Sequence, residues 1–317
     1  MKYCIVFQLA VCKGLPAMLI ALALACSANA EQEPAQSVSP QTQAVQNQGQ
    51  LTEPVHRVEK QQPEQPVRAM QVASQVQITA PVHPLTPALQ VARTALGNID
   101  TGIKDYQCTL WKRERINQKL GGYEAMFIKV RHEPFSVYMK FLSPSSIKGR
   151  ECLWVENKNE GKLLAREGSG IKRSLGVFRL QPTGFLAMQG QKYPITELGI
   201  RNLTARLIEV AENDIKFGEC QVNWILNTQI GQDVNARKVT CLEVTHPVAR
   251  KEFRFHKARV YIDDEWKVPI RYEAYLWPKQ GGQPVLDEEY TYVNFKFNND
   301  FTDEDFDESN KEYGFHN

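Results

Sequence analysis

"ARVYIDDEWKVPIRYEAYLWP", residues 258–278, decides the fold class. Val260 and Ile262 alternate with Arg259 and Tyr261 before its acidic centre. After it, Val268, Ile270, Tyr272, Ala274 and Leu276 alternate with Pro269, Arg271, Glu273, Tyr275 and Trp277. Alternation of period two marks a strand with one buried face, so the stretch predicts an antiparallel hairpin with Asp263, Asp264 and Glu265 at its turn. Such a trio could be a catalytic or metal-binding cluster. A general acid, however, needs a carboxyl driven out of water or held by a partner. The sequence shows no such partner, so the acids read as the solvated tip of a hairpin.

Working outward, the same period recurs. Tyr106, Cys108 and Leu110 alternate with Gln107, Thr109 and Trp111; "LGG" at 120–122 turns the chain into a strand at 123–130. Further strands are predicted at 135–142, 150–156, 163–166, 220–228, 238–246, 252–262, 267–277 and 286–297, joined by short turns. Two helical stripes interrupt them. Thr86-Pro87 is a helix start, with Leu85, Leu89, Ala92, Leu96 and Ile99 on one face. Pro194 and Thr196 start a second, carrying Ile200, Leu203, Leu207 and Val210. About ten strands and two helices in this order imply an α+β fold: a curved antiparallel half-barrel with helices 86–99 and 196–210 across its open side. The acidic tail at 298–313 reads as a capped turn rather than a calcium loop. Thr302 caps, Asp303, Glu304 and Asp305 favour the helix dipole, Phe301 staples to Phe306, and the central glycine of a calcium loop is missing.

The start of the chain is of another kind. Lys2 and Lys13 flank a short apolar run at 14–25, followed by "ANA" at 28–30, so residues 1–30 read as an export signal cleaved after Ala30. "LALAC" competes, since it resembles a lipobox that would leave Cys26 lipidated. Residues 31–83 form a Gln/Pro-rich linker: between 31 and 82 lie 13 Gln and 6 Pro, and no aromatic residue follows until Tyr106. Such a segment cannot bury enough apolar surface to offset its ordering entropy. Residues 84–317 then make one domain.

Without Lys2 and Lys13 the 38 basic residues fall to 36, matching 36 acidic ones. That neutrality argues against nucleic acid, whose binding rests on a basic excess, and leaves membrane contact to a lipid anchor. Four cysteines remain beyond the signal and linker: Cys108, Cys152, Cys220 and Cys241. None has the spacing of a zinc or redox motif, and three disulfide pairings are open, with structural or free thiols favoured. No nucleophile elbow, phosphate loop or zinc-protease motif appears. His132, His246 and His256 fall in or beside strands, as strand ends rather than ligands. No catalytic residue, metal site or cofactor is therefore assigned.

The strands carry bulky apolar groups on both faces, among them Tyr138, Trp224, Tyr275 and Phe295. A second apolar face suggests either a lined hollow or a filled barrel core. If hollow, the candidate lining is Leu89, Leu96, Leu203 and Leu207 from the helices, with Phe127, Val137, Met139, Trp154, Ile270 and Tyr272 from the sheet.

Two stretches, "YQCTLWKRERINQKLGGYEAMFIKVRHEPFSVYMKFLSPSSIKGREC" (106–152) and "YPITELGIRNL" (193–203), are similar to an exported bacterial domain-of-unknown-function family, numbered fifteen seventy-one, over roughly residues 86–313. The closing hairpins, "YIDDEWKVPIRYEAYLWP" and "EEYTYVNFKFNN" (288–299), resemble those of the LolA/LolB lipoprotein-carrier superfamily. The first family implies no activity and no catalytic residues. The second implies a half-barrel and, as an expectation, a non-catalytic periplasmic or envelope protein holding a lipid, acyl chain or lipoprotein anchor. A cell-envelope scaffold and an envelope hydrolase are the alternatives.

Overall fold

The computed structural model describes residues 56–58 and 82–316, except 233–235 and 280. The export signal, Cys26 and nearly all of the linker lie outside the described residues. In chain order the elements are β1 (His56–Val58), α1 (Thr86–Gly102), β2 (Asp105–Ile116), β3 (Lys119–Leu120), β4 (Glu124–Arg131), β5 (Ser136–Ser143), β6 (Glu151–Val155), β7 (Leu163–Arg166) and β8 (Phe178–Leu180). Then come the one-turn α2 (Phe185–Met188), α3 (Ile200–Asp214), β9 (Gln221–Ile230), β10 (Arg237–Thr245), β11 (Lys257–Asp263), β12 (Pro269–Leu276) and β13 (Val285–Phe297).

The strands form one open sheet in the order β1-β9-β10-β11-β12-β13-β2-β4-β5-β6-β7-β8, with β3 paired to β2. The neighbours along it run antiparallel. Among the described residues the sheet has 13 strands rather than about ten. The additions, β1, β3 and β8, are two or three residues long, too short to display an alternation. β1 adds the first of them to the sheet edge from within the Gln/Pro-rich stretch. The hairpin at 258–278 forms as β11 and β12, with Val260 opposite Tyr272 and Ala258 opposite Ala274.

Both helices start differently from expectation. Thr86 does not cap α1. Leu85 takes the cap position without a side-chain bond, and His83 supplies the acceptors: its Nδ1 takes the Leu85 N–H (3.1 Å) and its carbonyl the Thr86 N–H (2.9 Å). α3 begins at Ile200, because 195–197 closes as a separate 3-10 turn and Gly199 follows at φ 109°. That left-handed value favours glycine. A Cβ on Gly199 would also sit 2.7 Å from the Tyr106 hydroxyl, the oxygen that accepts the Ile200 N–H (3.0 Å) and so satisfies one orphan donor of the helix start.

The helices cover one face of the sheet. Ile99 and Ile200 are buried with Tyr106, Cys108, Met126, Ile128 and Val137. Leu85 and Ala88 pack with Leu242, Val244, Ala258 and Val260, against which Leu207 and Val210 rest. A fully buried Val, Leu, Ile or Met among them contributes about 1.5–3 kcal/mol. The other face of β5–β7 is covered by the tail: Tyr138, Leu153, Val155 and Leu164 cluster with Phe306, Tyr313 and Phe315, and Tyr138 stacks on Tyr313 with ring centroids 3.8 Å apart. The second apolar face is thus a seat for the C-terminal segment, not the wall of a hollow. Its turn is one of 3-10 type, Asp303–Phe306. Thr302 and Asp305 cap each other there, and Phe301 meets Phe306 edge-to-face.

Candidate functional site

At the acidic turn the structure departs from the solvated tip that the sequence predicts. Asp263 is fully buried, not solvated. Its carboxylate accepts both Nε and a terminal nitrogen of Arg237 (2.7 and 2.8 Å) and the N–H groups of Glu265 and Trp266 (2.9 and 2.8 Å). The Arg237 guanidinium lies 3.7 Å above the Trp266 ring, and its bonds to Asp263 hold its proton more firmly than usual. Asp264 accepts the Thr240 hydroxyl (2.8 Å). A carboxylate with its oxygens so fully engaged is a structural clasp between β10 and the turn.

The hollow lies elsewhere. A cavity of about 1170 Å³ opens between the helix-covered face of the sheet and a roof made by α3 and residues 178–198. That exceeds the roughly 300–1,000 Å³ of ordinary small-molecule pockets. Leu110, Met126, Met139 and Phe141 form its floor, and Leu203, Leu207 and Val210 of α3 part of its roof. Of the candidate lining, Met139, Leu203, Leu207 and Tyr272 face this space. Leu89 lines a smaller gap of about 70 Å³ under α1, which Leu207 shares. Val137 and Ile270 are buried in the core, Leu96 is half-buried on α1, and Trp154 rests against Phe135 with ring centroids 5.7 Å apart. Phe127 does not line the hollow. It points to the other face and packs on the cluster of Tyr138 and Phe306, because Met126, Ile128 and Val130 take the inward phase of β4.

A polar cluster, unforeseen from the sequence, stands at one wall of the cavity. Glu114 of β2 and Glu288 of β13 are directly opposite across the strand pair, and both are buried. Glu114 accepts from Lys112 Nζ (3.1 Å), the Tyr290 hydroxyl (2.5 Å) and the Lys192 N–H (3.2 Å). Glu288 accepts from the Tyr193 hydroxyl (3.0 Å) and pairs with Lys192 Nζ (3.0 Å), which also holds Asp287. Burial pushes the Glu288 carboxyl above the usual carboxylate range. Burial alone would lower Lys192, but Glu288 and Asp287 hold it above its ordinary value. Like carboxylates this close are tolerated because each has a cation. Gln191, which accepts from Lys112 Nζ, and Lys192 and Tyr193, which donate to Asp287 and Glu288, latch the roof to the sheet. One signal in the sequence marks the place: Lys112 and Glu114 continue the inward phase of Tyr106, Cys108 and Leu110.

The four domain cysteines are free thiols. Burial pushes Cys152 and Cys241 up to about 12 and Cys220 up to about 11, which makes them poor nucleophiles. The histidines do not converge on a metal: His246 bonds Asp214 (3.0 Å) and stacks on Phe253, while His256 Nδ1 bonds the His246 carbonyl (2.9 Å). Among the described residues no group of three or more His, Cys, Asp or Glu could hold a metal ion, and no helix is long and apolar enough to cross a membrane.

Comparison with known proteins gives a family and distant likenesses. The profile described as a protein of unknown function (DUF1571) matches residues 103–315, and no curated protein matches. The chain is similar to a LolA superfamily protein from Nitrosomonas europaea (13% identity over 68% of this chain and 97% of that one, TM-score 0.28). It is similar also to a putative outer membrane lipoprotein-sorting protein domain from Vibrio parahaemolyticus (14%, 69% and 95%, 0.33). A third is the Mycobacterium tuberculosis lipoprotein LppX (12%, 66% and 96%, 0.36). At such scores these likenesses carry no functional argument.

Proposed function

For this chain, which belongs to the DUF1571 family of proteins of unknown function, we propose a role as an exported, non-catalytic carrier or binding protein for an apolar ligand: a lipid, an acyl chain or a lipoprotein anchor. The observation that supports this reading is the cavity of about 1170 Å³, in which Leu110, Met126, Met139, Phe141, Leu203 and Leu207 make an apolar patch beside charged groups such as Arg150, Arg206 and Glu288. Each methylene moved from water into such a space contributes about 0.8 kcal/mol, so a dozen or so supply roughly 10 kcal/mol. Association costs roughly 4–15 kcal/mol. The two are of one order, which suits reversible capture. Residues 1–30 as a signal cleaved after Ala30, and 31–83 as a spacer, would deliver the domain to the periplasm or envelope. A diacylglyceryl group on Cys26 in mass spectra of the mature amino terminus would instead make it an anchored protein.

The test is organic extraction of natively purified protein, lipid mass spectrometry, and displacement of a fluorescent fatty acid. Co-purifying lipid and probe binding, both reduced when Met139→Trp or Leu203→Trp fills the hollow, are expected. No lipid, no probe binding and indifference to both substitutions would remove the carrier reading.

One observation favours a second reading, a hydrolase acting on envelope polymers: Glu114 and Glu288 are buried, opposed and at the cavity wall, and one has a raised pKa, as perturbed catalytic pairs do. Against it, both are occupied in latching the roof. Turnover of ester or glycoside probes that vanishes in Glu288→Gln would establish it; no turnover by the purified protein would retire it.

A further inference from the structure

The roof of the cavity has an outer surface of unusual character. Between Glu167 and Glu197 the chain contains Lys172, Arg173, Arg179 and Lys192 and no acidic residue, in a protein whose charges otherwise balance. Within the same segment Phe185 is 82% exposed and Leu186 64%, and Leu175 and Phe178 are exposed as well. Isolated apolar residues at a surface need no explanation, but four within a dozen residues of chain do.

Their position is specific. Phe178 and Leu186 both line the cavity and face solvent, so they stand at its opening. The cations divide into two groups. Arg179 is neutralised by Glu308 (2.9 Å to each carboxylate oxygen), and Lys192 by Asp287 and Glu288. Arg173 is exposed and donates to the Gly168 carbonyl (3.1 Å), a neutral acceptor. Lys148 is exposed too, on a loop so close to Gly168 that a Cβ there would come within 2.1 Å of the Lys148 carbonyl. Exposed apolar groups beside exposed cations, with no carboxylate in the segment, match the chemistry of a bilayer interface: apolar side chains enter the acyl boundary while Lys and Arg meet anionic headgroups.

We propose that this segment is the surface on which the protein docks onto an anionic lipid bilayer, with the opening of the hollow held against the membrane. Burying a Phe or Leu there is worth about tenfold or more in affinity per side chain, and a cation at the surface about fivefold. A few such groups give reversible adhesion rather than anchoring. Membrane contact then comes from the folded domain itself, independently of any lipid on Cys26. Docking does not require the hollow to be filled, so this inference and the carrier reading can fail separately.

The experiment uses the exported, processed protein made from a Cys26→Ser precursor, which cannot be lipidated at that position. Co-sedimentation is measured with vesicles of phosphatidylglycerol and phosphatidylcholine, and of phosphatidylcholine alone, at low and high salt. Binding to the anionic vesicles that weakens with salt is expected. It should fall at least tenfold in Leu175→Ser/Phe185→Ser, two exposed residues outside the cavity lining, and about fivefold or more in Arg173→Glu. These side chains are exposed, so thermal melting should be unchanged and fluorescent fatty-acid displacement retained. No vesicle binding by the parent protein, equal binding by the double variant, or equal binding to neutral and anionic vesicles would each overturn the proposal.

Discussion

Replacing Asp263 by Ala tests the central clasp most directly. The wild-type carboxylate is fully buried and takes hydrogen bonds from Arg237 and from two backbone N–H groups of the turn. Removing it strands those donors, and hydrogen bonds to a charged group are worth about 1.5–3 kcal/mol each. Breaking a buried ion pair by deleting one partner costs about 3–5 kcal/mol. Arg237 remains 30% exposed and keeps Glu265 (2.9 Å), which moderates the loss, so we expect roughly 3–4 kcal/mol. Glu265 is 74% exposed, and Glu265→Ala should cost no more than about 0.5 kcal/mol. Urea unfolding at constant m-value measures both, and the Asp263→Ala/Arg237→Ala cycle should show coupling of about 1–3 kcal/mol. If Asp263→Ala costs no more than Glu265→Ala, the carboxylate is a solvated tip after all and the clasp does not exist.

Gly199→Ala should destabilise the domain by about 1–3 kcal/mol, since its Cβ displaces the Tyr106 hydroxyl and strands the Ile200 N–H; Tyr106→Phe, which strands the same donor without the strain, should lose less, as read by thermal melting. His132 titrates below its ordinary value, chiefly because burial disfavours its cation; its contribution to stability is present above about pH 6.5 and is lost as pH falls from there through the lower folded value. Glu288 has the opposite sign: its raised folded pKa favours the fold at low pH, and that contribution fades as pH rises from about 4.3 through the folded value. Denaturant midpoints between about pH 4 and 8 should therefore lose the slope just below about pH 6.5 in His132→Gln and the slope just above about pH 4.3 in Glu288→Gln; profiles parallel to wild type would contradict both assignments.

What could be read from the chain followed from periodicity. The hairpin at 258–278 was legible because nearly every second residue is apolar on both sides of the turn. The two helical stripes were legible for the same reason, although the left-handed Gly199 moved the start of the second. β4 misled because "AMFI" (125–128) is apolar at consecutive positions, so both phases are open. The choice falls on Met126 and Ile128 only because Phe301 and Phe306 arrive from the end of the chain to cover Phe127. The partner of Asp263 was invisible because Arg237 lies 26 residues away, at the far end of the preceding strand, and only the pairing of β10 with β11 brings it to the turn. Glu114 and Glu288 could be paired only once the register of β2 against β13 was known. Local patterns name faces; which distant face meets them is a matter of tertiary order.

That order bears on when the protein can fold. β2 to β8 are joined by near-neighbour pairings, as are β9 to β13, and the two halves are sewn together by β13 against β2. Contacts between such remote segments are slow to form, because loop-closure entropy is paid before any contact rewards it. The last strand is made last, so the nascent chain cannot close its sheet until synthesis is nearly complete. If the chain is exported as proposed, a precursor crossing a membrane unfolded gains time from this arrangement, and a chain cut short before residue 285 is left with two sheets and no seam.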